Sequence, residues 1–160
     1  MATNYGPTWN TGVTIPVGSP YSTQLYLYLG TGTVGAETIT LGATNDTYRL
    51  CKLPKRVTIT DALIQVGDLD SSTGLVFSLR VTDGTTTKVI IHQAATGQAG
   101  GVIRPTKIAT TENALGFTTT SNAFWLEILL DTAPTTPAAG IFKVFVNLTG
   151  GYLPGAAGAE

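Results

Sequence analysis

The residues able to do chemistry are few and scattered. His92 is the single histidine, and a histidine general base needs an orienting partner and a nucleophile within hydrogen-bond reach. It falls in "TKVIIHQ" (87–93), among β-branched neighbours, which is the setting of an ordinary strand-face histidine. Cys51, between Leu50 and Lys52, is the lone cysteine. That excludes an internal disulfide and a CxxC zinc knuckle, and leaves a small buried hydrophobe as its reading. "GDLDSSTG" (67–74) places Asp68, Asp70 and Ser72 at alternating positions, superficially like a calcium loop. Position 12 from Asp68 is Leu79 rather than a carboxylate, so a hairpin turn is the better reading. Glu112 and Glu127 have no spacing that supports a glycosidase pair. "GTGTVG" (30–35) lacks the lysine and the following helix of a phosphate loop. No catalytic constellation emerges, and no metal or cofactor is expected.

The elements around these residues read as strands. From Gln24 onward period-2 alternation dominates. "QLYLYL", "ETITL" (37–41), "TYRLCKL" (47–53), "RVTITDALIQV" (56–66), "LVFSLRV" (75–81), "TKVIIHQ", "AFWLEILLD" (123–131) and "IFKVFVNL" (141–148) each carry the pattern. A change of phase near Asp61 predicts a bulge. "TDGTT" (82–86) predicts a hairpin, and Ser78 and Arg80 are expected to face outward. The stretch 94–122 is the least regular; its "TTENALGF" (110–117) is compatible with one helical turn capped by Thr111. The expectation is an all-β fold: an antiparallel β-sandwich of about eight strands, jelly-roll-like. Residues 1–23, rich in Gly, Pro and Thr, read as an extended N-terminal arm packing on a neighbour. Residues 24–153 form the sandwich and 154–160 a flexible tail.

Composition points outward from this core. Hydrophobic content is 42% but charged content only 12%, about half that of ordinary soluble domains, so much of the surface is weakly polar or covered. Nine basic and ten acidic residues give a net charge of −1, and "KLPKR" (52–56) is too small a cluster to track phosphates, which argues against nucleic acid as a partner. "MATNYGPTWN" lacks the regions of a secretory signal, and no apolar run approaches the roughly 18 residues of a membrane span. Synthesis in a cytoplasm, with no membrane partner, is expected, and the sequons at Asn45 and Asn147 carry little weight. Trp125, Phe145, Ile141, Tyr26 and Tyr28 all oppose the core-facing sets of their strands, where a solvated sandwich shows polar residues. Such a cluster marks a contact surface, or else a face covered by the arm or by the segment 94–122.

The last third, "FWLEILLDTAPTTPAAGIFKVFVNLTGGY", resembles the C-terminal hairpin of the small β-sandwich decoration (cement) proteins of tailed-bacteriophage heads. The bridge matches at Thr132, Ala133, Pro134, Thr136, Ala138, Ala139 and Gly140, and "CKLPKRVTITDALIQVGDLDSSTGLVFSLRV" is similar in pattern, so the likeness covers roughly 37–150. It implies a structural virion protein on the outer surface of the capsid. Its partners would be the major capsid protein and further copies of itself as a homotrimer, with no enzymatic activity and no cofactor. The partner contacts it suggests are Trp9, Tyr26, Tyr28, Trp125, Pro134, Pro137, Ile141 and Phe145. Pro134 and Pro137 either preset the tip for docking or stiffen an exposed corner. The alternatives are a carbohydrate-binding β-sandwich, with Trp9, Trp125 and Tyr28 as stacking platforms, or another virion part in the neck, tail or adhesin.

Overall fold

Alternating residues place one set of side chains on each face of a strand, and burying one set demands a second sheet. The computed structural model describes residues 3–5, 21–29, 41–105, 113–121, 123–138 and 140–150, with backbone alone for 3–5, 21–29 and 150. Nine strands are present among them: β1 (Thr3–Tyr5), β2 (Tyr21–Leu29), β3 (Thr47–Lys52), β4 (Val57–Val66), β5 (Val76–Thr82), β6 (Thr87–Ala94), β7 (Gly101–Ile103), β8 (Trp125–Thr132) and β9 (Gly140–Gly150). One sheet has the order β1-β3-β8-β5-β6, the other β2-β9-β4-β7. Successive strands mostly switch sheets, and all described strand pairs are antiparallel except β1 with β3. This is a jelly-roll-like sandwich. Of "ETITL", only Leu41 lies within the described residues.

The core forms where the inner sets meet. Leu126, Ile128 and Leu130 of β8 and Phe77, Leu79 and Val81 of β5 are fully buried, as are Phe142, Val144 and Leu148 of β9 and Ile59 and Ile64 of β4. Phe77 meets Phe142 edge to face across the sheets, with ring centroids 4.8 Å apart. Each such side chain contributes about 1.5–3 kcal/mol of transfer free energy.

Three expectations need correction. The strands flanking "DTAPTTPAAG" do not form a hairpin: β8 belongs to the five-stranded sheet and β9 to the four-stranded one. "GDLDSSTG" likewise joins β4 to β5 across the sheets rather than turning within one. Alternation in the flanking strands says which face is buried, not which sheet a strand joins. Ser78 does point away from the core but is buried, donating to Asp131 Oδ2 at 2.6 Å and accepting from the Gln93 amide at 2.9 Å. The hairpin at "TDGTT" is present, with Asp83 Oδ1 accepting from the amides of Thr85 and Thr86, and the bulge appears as a register shift between Ile59 and Asp61.

The irregular segment closes one side of the sandwich. Ala114 donates its amide to Val89 of β6, while Gly116 and Thr119 donate theirs to Ile59 and Val57 of β4. It thus ties the two sheets together. In place of the helical turn there is a tight turn in which the Phe117 amide reaches the Ala114 carbonyl at 2.9 Å. Gly116 adopts φ +83°, the left-handed position that such a turn assigns to glycine. Thr111, the expected cap, lies outside the described residues.

Candidate interaction surface

Three sheet-to-sheet connections meet at one end: 67–75, 95–100 and 133–139. The first and third are joined at Asp70, which is fully buried. Its Oδ1 accepts from the Ser72 amide (3.1 Å), the Ser72 hydroxyl (3.0 Å) and the Thr136 amide (2.9 Å). Its Oδ2 accepts from the amides of Gly74 (2.9 Å), Leu75 (2.9 Å) and Thr135 (3.1 Å). Burial by itself raises a carboxyl pKa. Here the amides of Thr136, Thr135 and Ser72 and the Ser72 hydroxyl outweigh it and hold Asp70 well below the usual carboxylate range.

Backbone bonds complete the clasp. Ser71 donates to the Thr136 carbonyl, Ala138 to that of Leu69, and Leu69 to that of Gly97. Ala133 donates to Thr44 Oγ1. The proline-containing bridge is therefore not a free tip. Pro134 is half-buried, and Thr135, Thr136 and Pro137 present their side chains on a backbone fixed from beneath. A Cβ at Gly74 would meet Thr135 Oγ1 and lie 3.0 Å from the Thr135 nitrogen and 3.2 Å from the Ala133 oxygen, so a side chain fits there only if the bridge shifts.

The outer face of the five-stranded sheet carries a charged row. Arg49, Glu127 and Arg80 stand directly opposite one another on β3, β8 and β5. Glu127 is 2% exposed. Its Oε1 accepts from Arg80 Nε and pairs with Arg80 Nη2, both at 2.7 Å, and its Oε2 lies 3.6 Å from Arg49 Nε. Trp125 is half-buried, with the Arg49 guanidinium 5.0 Å and the Lys52 ammonium 5.9 Å from its ring centroid.

The outer face of the four-stranded sheet is more apolar. Leu63 and Phe145 are cross-strand partners, both half-buried. With Asp61, Ala62, Arg104 and Asn147 they line a shallow depression of about 310 Å³. Arg104 reaches Asp61 across its rim at 3.4 Å. Val102 on β7 is 61% exposed.

The expected single aromatic face is thus divided. Trp125 belongs to one sheet, while Ile141 and Phe145 belong to the other, and Pro134 and Pro137 lie at the clasped end. Tyr26 and Tyr28 stand in register with Lys143 and Ile141, with their side chains outside the description. Trp9 lies outside the described residues. Leu63, Val102 and the Asp70 clasp were missed by sequence reasoning. Only Asp70 had a local signal, an acid followed by Ser and Gly in a turn.

Among the described residues the chemistry-bearing side chains do not converge, and Glu112 lies outside them. His92 is exposed on β6, and burial pushes the Cys51 thiol up to about 12. Among the described residues no group of three His, Cys, Asp or Glu is placed to hold a metal, and no helix is long and apolar enough to cross a membrane.

No protein-family model and no curated protein matches the chain. Two solved structures do. A chain of the capsid of Ralstonia phage GP4 aligns with TM-score 0.67 and 17% identity over 95% of this chain and 100% of that one. A chain of the cyanophage Pam1 capsid asymmetric unit aligns with TM-score 0.58 and 21% identity over 91% and 95%. At these identities the likeness is one of fold, and it runs nearly end to end in both.

Proposed function

We propose that this chain is a decoration (cement) protein: a structural virion component that binds the outer surface of a phage head as a homotrimer and stabilises contacts between neighbouring major capsid subunits. The observation that carries this reading is the near end-to-end likeness of fold to chains from two phage capsids. The low charge content accords with a surface largely covered by neighbours. The clasped end offers Thr135, Thr136 and Pro137 on a backbone that loses little freedom when it docks. Leu63, Phe145 and Val102 offer a modest apolar footprint.

Binding that favours the assembled shell over its loosened form stabilises it by mass action. Three linked footprints strengthen one another through effective concentration. No cofactor and no reaction step enter this role.

The test uses heads of the source phage assembled without this protein. Purified chain should bind them to saturation at a fixed ratio to the major capsid protein and raise their melting temperature. Heads that sediment without the chain at micromolar concentration overturn the reading.

A further inference from the structure

We propose that β1 is exchanged between copies: Thr3–Tyr5 of one chain completes the five-stranded sheet of another by adding beside its β3. Among the described strand pairs this ladder is the parallel one, and it is short, with Thr3, Asn4 and Tyr5 opposite Thr47, Tyr48 and Arg49. The β2–β9 ladder, by contrast, runs for nine pairs, from Tyr21 with Leu148 to Leu29 with Gly140. Parallel pairing is somewhat weaker per residue than antiparallel, so three pairs hold β1 in its own chain only lightly.

The covalent tether does not oblige it to stay there. β1 and β2 occupy edges of different sheets, and residues 6–20 join them. Fully extended, a segment of that length spans about 50 Å, more than the roughly 40 Å diameter of a domain this size. Its sequence includes Pro7, Pro16 and Pro20, a residue type that favours extended, semi-rigid linkers. The segment also carries Trp9, Val13, Ile15 and Val17, apolar groups that a mere spacer does not need.

The β3 edge makes the same backbone hydrogen bonds with a strand from either source, so exchange loses nothing in the ladder and adds contacts between bodies. The partner is a second copy because the strand that fits the edge in register is this chain's own. None of this depends on binding to a capsid.

A photocrosslinking experiment separates the two arrangements. Chain labelled with ¹⁵N and carrying p-benzoylphenylalanine in place of Tyr5 is unfolded, mixed in equal amount with unlabelled wild type, and refolded. Exchange predicts that roughly half of the links from position 5 join labelled to unlabelled peptides containing residues 47–52. It also predicts that deleting residues 1–20 lowers the mass seen by light scattering. Links confined to one chain of monomer mass, or intermolecular links that reach a strand other than β3, overturn the proposal. The mass of the cross-linked peptides decides even where the deleted chain fails to fold.

Discussion

Asp70 and Glu127 are both buried carboxylates in one sandwich, and they are held in opposite ways. Asp70 has no cation among its hydrogen-bond donors: five backbone amides and one hydroxyl surround it, two of the amides from a loop more than sixty residues away. Glu127 is held by two arginines that the sheet register brings directly beside it. The first arrangement fixes loop backbone at the end where the sheets are joined. The second fixes side chains on a face that the strands have already positioned. Removing Asp70 therefore loosens architecture, whereas removing Glu127 leaves a well-formed sheet in which Arg80 and Arg49 lose the carboxylate they share.

The largest expected effect is at Asp70. Asp70→Ala leaves buried amides without an acceptor and should lower Tm by about 10 °C. Hydrogen exchange should quicken at Gly74, Leu75, Thr135 and Thr136 together, because one carboxylate serves both loops. If only the 70–75 amides respond, the clasp between loops is wrong.

The pH dependence sharpens the same point. The folded carboxyl is depressed below its unfolded value of about 3.9, so its stabilisation is fully present above that value. It is lost as pH falls toward the folded pKa. The Tm gap between wild type and Asp70→Asn should be constant from neutral pH down to about 5 and narrow below about 4. A gap that widens on acidification contradicts the assignment.

Glu127→Gln should cost about 2 kcal/mol, or roughly 6 °C in Tm, with amide exchange at the clasped end unchanged. Gly74→Ala forces a methyl group against the Thr135 and Ala133 backbone and should cost about 1–2 kcal/mol. Its disturbance should appear at the bridge 133–138 and leave β8 untouched. Arg104→Ala removes a solvent-exposed pair with Asp61 and should change stability by less than about 0.5 kcal/mol. Thermal melts at matched pH rank the whole series.

Strand existence was legible because alternation is a local property: Leu126, Ile128 and Leu130 declare a buried face without reference to anything else. Sheet membership was not. The segments around Asp70 and around Pro134 carry the turn residues of hairpins, yet each crosses between sheets, and only long-range packing makes that choice. β1 and β7 are three residues each, too short for a period to be recognised. The charged row needed the register of three strands before Arg49, Glu127 and Arg80 became neighbours. The Asp70 clasp needed two loops to meet, and backbone amides leave no trace in residue types. Trp125 and Phe145 were identifiable as pointing away from the core, but two sheets have two outsides, so they do not share one surface.

Cryo-electron microscopy of the mature virion tests the functional account most directly. The account predicts density for the sandwich, present in three-fold clusters on the outside of the head and touching more than one major capsid subunit at each site. A complete map whose shell carries no such density, with this chain found only in the neck, the tail or free in the lysate, would contradict it.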